Sequence, residues 1–304
     1  VINHIFNKRS EMQISVPQRI LFTDFENLLK EVISLDLKKI KSISFDFSNT
    51  NFLSSFSMVL FVLLCEFLVD DCKLKVHLKL SKDSDKSRLN SSMFILARVG
   101  FFDALPKDIT CYPYKPKRKK EYKGTNDSIL EITRINKTEA MKIINLVESA
   151  IKINTEYQTD QVNDICQMVS EIIQNILLHS DCKRHGLIAI QSYPQLHIVQ
   201  LVIADSGLGI PTTLRRTTEY RNIGISDSDA ISESLKAGVS QFGKDEDRGE
   251  GLTKCSTLAK KHLAKMFIRS NTGSYSLDFK SKKFIKKVSS NLSGTQIYVN
   301  FPAI

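Results

Sequence analysis

Glu171, Asn175 and His179 stand at four-residue intervals in the otherwise apolar run Ser170-Glu171-Ile172-Ile173-Gln174-Asn175-Ile176-Leu177-Leu178-His179-Ser180. Residues four apart share a face of a helix, so the three make one polar stripe that drifts by roughly 80° at 3.6 residues per turn. Such a stripe faces something polar, either a ligand or plain water. Further on, the apolar run Leu196 to Ala204 reads as a buried strand that ends in Asp205-Ser206-Gly207-Leu208-Gly209-Ile210-Pro211. A strand that delivers a carboxylate into a glycine-rich turn can floor a ligand site, because glycine lets backbone come close and adopt positive φ. Arg248-Gly249-Glu250-Gly251-Leu252 opens the helical pattern Leu252 to Lys265. Free N–H groups at the positive end of a helix suit phosphate. Lastly, Ser293-Gly294-Thr295-Gln296-Ile297 enters a final strand, Gln296 to Phe301. Taken singly, each segment also reads as an ordinary turn or helix face.

In this order the four segments resemble those of the GHKL ATPase superfamily, which contains the ATP-binding domain of sensor histidine kinases, the anti-sigma-factor serine kinases, Hsp90, type II topoisomerases and MutL. The resemblance covers residues 125 to 304 and is closest in style to the anti-sigma-factor kinases and stand-alone histidine-kinase-like ATP-binding proteins. It implies ATP and Mg²⁺ as cofactors, with Asn175 carrying the metal through a neutral amide oxygen that suits a hard cation already balanced by triphosphate. Glu171 takes the position that orients or deprotonates the attacking water. His179 matches a position that supports the phosphates, and near a helix end it can equally be satisfied by a carbonyl. Asp205 corresponds to the carboxylate that accepts the exocyclic amine of adenine, which rejects guanine. Gly207 and Gly209 let the chain pass the base, and Gly249, Gly251 and Leu252 form the phosphate turn. Thr295 holds a water shared with Asp205, and Pro211 to Arg248 corresponds to a mobile lid.

The elements before this region alternate strand and helix. Strands are predicted over Gln13 to Val16, Ser42 to Phe47 and Leu74 to Leu80, and helices over Ile20 to Ile33, Met58 to Val69 and Met93 to Val99. Such alternation favours an α/β layer domain. Asp46, Ser48, Phe52 and Ser55 fit the loop of the STAS domain of anti-sigma-factor antagonists, roughly D-L-S-x-V-x-F-I-D-S-S-G. Ser54 replaces the aspartate of that pattern, Phe56 stands in place of the phosphorylated serine, and Ser57 replaces the glycine. In this alignment the acceptor is absent, and a shift of one position nominates Ser55 or Ser57. The expectation is a degenerate STAS-like domain, with an unrelated α/β domain as the alternative.

Between the halves, Tyr112 to Gly124 holds two prolines and six cations without apolar periodicity, so it cannot bury a face. The domains expected are a STAS-like regulatory domain over 1–112, a basic linker over 113–124 and a GHKL domain over 125–304. Lysines 280, 282, 283, 286 and 287 add to the net charge of +10. Basic stripes can grip nucleic acid or anionic lipid, but no aromatic interleaving accompanies them, so nucleic acid is not expected.

At 304 residues, 42% hydrophobic and 25% charged, the composition is that of a soluble two-domain protein. The longest apolar run, Met58 to Cys65, falls far short of the ~20 residues that span a membrane. Val1 to Met12 lacks the layout of a signal peptide. Six scattered cysteines without metal spacing read as reduced thiols, in keeping with the cytoplasm.

The fold expected is thus α/β, an N-terminal STAS-like domain followed by a Bergerat-type GHKL α/β sandwich. The function expected is Mg-dependent ATP binding, as a slow ATPase or switch that controls a protein partner, itself a STAS or sigma-factor-regulating protein. A serine/threonine kinase of the anti-sigma type and a non-catalytic nucleotide-binding scaffold are the alternatives. No phosphoacceptor-histidine helix pair precedes residue 125, which counts against a complete sensor histidine kinase. Homodimers are common in the family, and no interface is legible here.

Overall fold

The computed structural model describes residues 10–81, 92–117, 129–154, 157–179, 186–236 and 251–302. Contacts divide the chain into two compact units, Val1–Thr125 and Asn126–Ile304. Both combine helices with a sheet, parallel in the first unit and antiparallel in the second.

The first unit runs β1 (Glu11–Ser15), β2 (Arg19–Ile20), α1 (Phe22–Ser34), β3 (Ser42–Asp46), β4 (Phe52–Leu53), α2 (Ser55–Glu66), β5 (Lys75–Lys79), α3 (Ser92–Arg98), α4 (Phe101–Ala104) and β6 (Thr110–Tyr112). Strands β1, β3, β5 and β6 lie side by side and parallel, and β2 pairs with β4. Parallel neighbours need long crossovers, which the helices between them provide. Helix α2 is apolar on all sides and wholly buried, as a core helix must be. It starts at Ser55 and not at the expected Met58, because Ser54 caps it: the Ser54 Oγ accepts the Ser57 N–H at 3.2 Å. A single π-type turn, Phe67–Asp71, ends it. Phe61 of α2 is fully buried, with its ring 5.0 Å from that of Phe45, 5.1 Å from Phe47 and 6.0 Å from Phe101.

The second unit continues with β7 (Ile129–Ile135), α5 (Ala140–Asn154), α6 (Thr159–His179), β8 (Gly186–Tyr193), β9 (Ile198–Ala204), α7 (Ile210–Leu214), α8 (Asp227–Ser234), α9 (Gly251–Lys261), β10 (Lys265–Asp278) and β11 (Lys283–Pro302). The sheet order is β10-β11-β9-β8-β7. Its register aligns Ile188, Ile203, Ile297 and Ile268 in one row and Ile190, Leu201, Val299 and Met266 in the next. These rows share a core with Ile143 and Val147 of α5, Val169 and Ile173 of α6, and Cys255 and Leu258 of α9. On the opposite pleat, Leu187, Ala204, Gln296 and Arg269 form an alternate row.

Two expected elements are corrected here. The helix predicted to Lys265 stops at Lys261, where Leu263 takes φ +50° and Lys265 opens β10. The strand predicted over Gln296 to Phe301 is the end of the twenty-residue β11, whose lysine-rich first half pairs Lys283 with Asp278 and Lys286 with Tyr275. Periodicity conceals that half because its apolar residues Phe284, Ile285 and Val288 are spread over both faces among lysines and serines, and Phe284 and Val288 are exposed. The five described cysteines are free thiols, and no helix among the described residues is long and apolar enough to cross a membrane.

Because Phe61 joins β3, the segment that follows it and α4 through ring contacts, Phe61→Ala is expected to cost about 3–5 kcal/mol. Hydrogen exchange should show lost protection over 42–46 with little change over 198–204. A loss below about 1 kcal/mol would mean that the cluster does not hold the first unit together.

Candidate functional site

Helices α6 and α9 lie antiparallel in a register that two ion pairs mark. Asp164 of α6 meets Lys261 at 2.6 Å and the His262 Nε2 at 2.7 Å. Two turns further along α6 and two turns back along α9, the Glu171 Oε1 meets the Lys254 Nζ at 2.8 Å. Between them the Cys255 Sγ lies 3.8 Å from the Met168 carbonyl oxygen. One more turn in each direction brings Asn175 opposite Gly251, the first residue of α9. A Cβ built on Gly251 would stand 3.3 Å from the Asn175 Nδ2 and 3.3 Å from the Glu171 Oε2. Helix α6 is anchored at its start, where the Tyr157 hydroxyl donates to the Phe301 carbonyl at 2.6 Å and Gln161 donates to that of Pro302 at 3.0 Å.

The second group gathers at the end of β9. Asp205 is buried, its carboxylate accepts the Gly207 N–H at 2.7 Å, and its own N–H donates to the Thr295 carbonyl at 2.8 Å. Burial pushes the Asp205 carboxyl up to about 6, and the backbone amides of Gly207 and Thr295 pull it down only in part. The Ser270 Oγ lies 3.1 Å from the Thr295 Oγ1, donates to the Gly294 carbonyl at 2.8 Å and accepts the Ile210 N–H at 2.9 Å. Gly294 has φ +92°, and a Cβ there would stand 2.1 Å from the Asp205 carbonyl oxygen, so only glycine fits. Gly209, at φ +79°, crosses Asn271, whose amide donates to the Leu208 carbonyl at 3.0 Å and to the Thr212 hydroxyl at 3.0 Å.

Behind this turn is a fully buried arginine. Arg269 donates to the carbonyls of Leu292 at 3.1 Å and of Ser290, and to the Gln296 Oε1 at 2.9 Å. Gln296 in turn donates to the Asp205 carbonyl at 3.1 Å and the Ser293 carbonyl at 3.0 Å. A buried cation is tolerable only when its donors are satisfied, and here they hold the strand end that leads to Thr295.

One contact joins the two groups. A Cβ on Gly186 would lie 2.9 Å from the Ile176 Cγ2 and 3.1 Å from the Ala204 carbonyl oxygen. The residue after Asn175 and the residue before Asp205 therefore seat on the same glycine.

Of the residues singled out in the sequence, Glu171, Asn175 and Gly251 meet at the helix pair, and Asp205, Gly207, Gly209 and Thr295 meet at the β9 turn. Leu252 is partly buried against the core. His179 is the last residue of α6. Gly249 lies outside the described residues, as does the second part of the expected lid, 237–250. Its first part is docked on β10 and β11: Asp227 pairs with Arg215 at 2.6 Å and accepts the Thr272 N–H at 3.0 Å, while Asp229 pairs with Lys286 at 2.8 Å. Sequence reasoning missed Lys254, Arg269, Ser270 and Asn271. A charge inside the apolar run Met266-Phe267-Ile268-Arg269 was the available signal.

The raised pKa of Asp205 has a pH consequence whose sign is fixed. Its folded value, about 6, exceeds the ordinary 3.8, so its contribution to stability is full below about pH 4 and is lost as pH rises through about 6. Relative to Asp205→Asn, the wild type should lose up to about 3 kcal/mol of unfolding free energy between about pH 4 and 7. Urea titrations across that range check it; parallel profiles for the two proteins would remove the strain from Asp205.

No family model matches the chain, and no curated protein does. Among solved structures, it is similar to a crystal structure of the N-terminal domain of a DNA repair protein, with 18% identity over 34% of this chain and 28% of that one, at a TM-score of 0.17. The chain thus spans under a third of that structure, and a likeness of this size defines neither fold nor activity.

Proposed function

We propose that the second unit is a GHKL domain of Bergerat type that binds ATP with Mg²⁺, and that the first unit is a STAS-like regulatory domain. The single observation that carries this reading is convergence: four segments spread over residues 171–295 meet as two adjoining groups, one fit for a base and one for phosphates. The buried Asp205 carboxylate has acceptor capacity that its two backbone donors leave only partly compensated. An adenine amine would supply a further donor, whereas the guanine carbonyl would repel it. Glycine at 251, where a Cβ would stand 3.3 Å from both Asn175 and Glu171, brings the backbone at the start of α9 close to those side chains, which suits a phosphate held by backbone N–H groups.

The donor set fits Mg²⁺ carried mainly by its nucleotide. Among the described residues no group of three or more His, Cys, Asp or Glu side chains could hold a metal. Asn175 would contribute one amide oxygen, and Mg²⁺ readily takes its remaining ligands from phosphate and water. When bound it would neutralise phosphate charge; Glu171 would orient and deprotonate water, and the β9 turn would fix the base.

Transfer to water or to a separate protein is favoured over transfer to the neighbouring unit. Ser55 and Ser57 are buried, and the Ser57 Oγ lies 2.8 Å from that of its helix cap, Ser54. A partner protein that reads the nucleotide state completes the proposal, with γ-labelled ATP deciding between free phosphate and labelled protein.

Saturating Mg-ATP should raise the melting temperature, since a ligand bound only by the native state stabilises it by mass action. An unmoved melting curve would sink the nucleotide reading. Affinity should increase as pH rises through about 6, because the amine is accepted by the deprotonated Asp205, and then level off. Asp205→Asn should cost about a hundredfold in affinity. Asn175→Ala should weaken Mg-nucleotide binding, whereas Glu171→Ala should lower turnover with binding nearly intact. Equal losses of affinity in those two variants would make Glu171 structural.

A further inference from the structure

Lys254 stands where helix electrostatics disfavours a cation. It follows Gly251 by one turn, at the positive end of the α9 dipole, in a first turn that contains no acidic residue. The other lysines of α9, Lys260 and Lys261, sit in its last turn, where the dipole favours them. Glu171, on another helix, provides the compensating charge at 2.8 Å. With the side chains 39% and 23% exposed, this pair is of the weak, partly solvated kind that a stronger anion can open.

Helical side chains lean toward the N-terminus of their helix, so the Lys254 side chain extends back toward the Gly251 end of α9. The same Glu171 carboxylate that pairs with Lys254 through Oε1 has its Oε2 3.3 Å from where a Cβ on Gly251 would stand. Lysine, glycine backbone, amide and carboxylate are thus neighbours at the start of α9.

We propose that Lys254 is the cation that receives the terminal phosphate of the triphosphate, and that its departure from Glu171 is what uncovers the base. The inference rests on the nucleotide reading above and goes beyond it in naming a residue and a trigger. A diphosphate lacks the γ-phosphate that would draw the ammonium away from Glu171, so the base stays covered until a complete substrate is bound. In hydrolysis the water oxygen bonds to the γ-phosphorus while the bond from that phosphorus to the β,γ-bridging oxygen breaks. The departing ADP keeps the electron pair, Glu171 takes the proton of the water, and Lys254 offsets charge on the γ-phosphate oxygens.

Calorimetric titration of the full chain with Mg-ATP and Mg-ADP, with phosphate release measured in parallel, tests this. The wild type should prefer ATP by about tenfold, the worth of one charge-assisted contact. Lys254→Met should keep its ADP affinity within about twofold, lose the ATP preference and turn over at least about tenfold more slowly. Lys254→Arg should recover part of the preference, which separates charge from packing. If the preference survives in Lys254→Met, or turnover rises there, the lysine is only a cover and the proposal fails while the nucleotide reading stands. Binding of both nucleotides without preference in the wild type also defeats it alone; binding of neither defeats both.

Discussion

The antiparallel register of α6 against α9 is the constraint on which the candidate site depends. Asp164 to Glu171 on one helix and Lys261 to Lys254 on the other are equal two-turn steps, so a single alignment satisfies both ion pairs. That alignment puts Gly251 opposite Asn175. Sliding α9 by one turn would bring a side chain where the glycine now is and would leave Asp164 and Glu171 without their lysines. Charge pairs on partly exposed surfaces add little stability, and the apolar seam of Val169, Ile173, Cys255 and Leu258 supplies the adhesion. The ion pairs choose among registers that the seam alone would tolerate, which is a task of specificity.

A different economy governs the end of β9. Asp205 and Arg269 are both buried; the Asp205 carboxylate accepts the Gly207 N–H, and Arg269 donates to the Leu292 carbonyl and the Gln296 amide oxygen. Arg269 stays charged at any ordinary pH, so its guanidinium must keep its carbonyl partners in place. Through Gln296 that demand reaches the Asp205 carbonyl. Asp205, by contrast, titrates within reach of physiological pH. Rigid backing of this kind limits how far the buried carboxylate can relax.

What could be read in the sequence was the polar residues of the candidate site more than the framework that holds them. Glu171, Asn175 and Asp205 were legible because polar residues at helical spacing, or at the end of an apolar run, break a pattern. Strands β7, β8 and β10 left no comparable mark, since short apolar runs do not distinguish strand from helix. Lys254 was hidden for a different reason. The helix start expected at Leu252 already put it in the first turn, but its pairing with Glu171, 83 residues away on another helix, shows only in the fold. Arg269 could be suspected from its apolar neighbours, but the partners that justify its burial come from β11, more than twenty residues away in sequence.

The serine cluster of the first unit shows how a motif's letters can be present while its chemistry is used elsewhere. Ser54 spends its hydroxyl on the α2 cap, Ser57 lies fully buried against it, and Ser55 faces the interior at the opening turn. Phe56, also buried, packs with its ring 5.6 Å from that of Phe22 of α1, tilted by 43°, and ties the turn to the neighbouring helix. Phosphate on Ser57 would have to displace both the cap and the packing that starts α2, and its charge would enter a site without solvent. Modification there would unfold the helix end before it could signal. Any regulation by this unit therefore has to act through what its surface contacts, with the loop serving as the rigid beginning of a core helix.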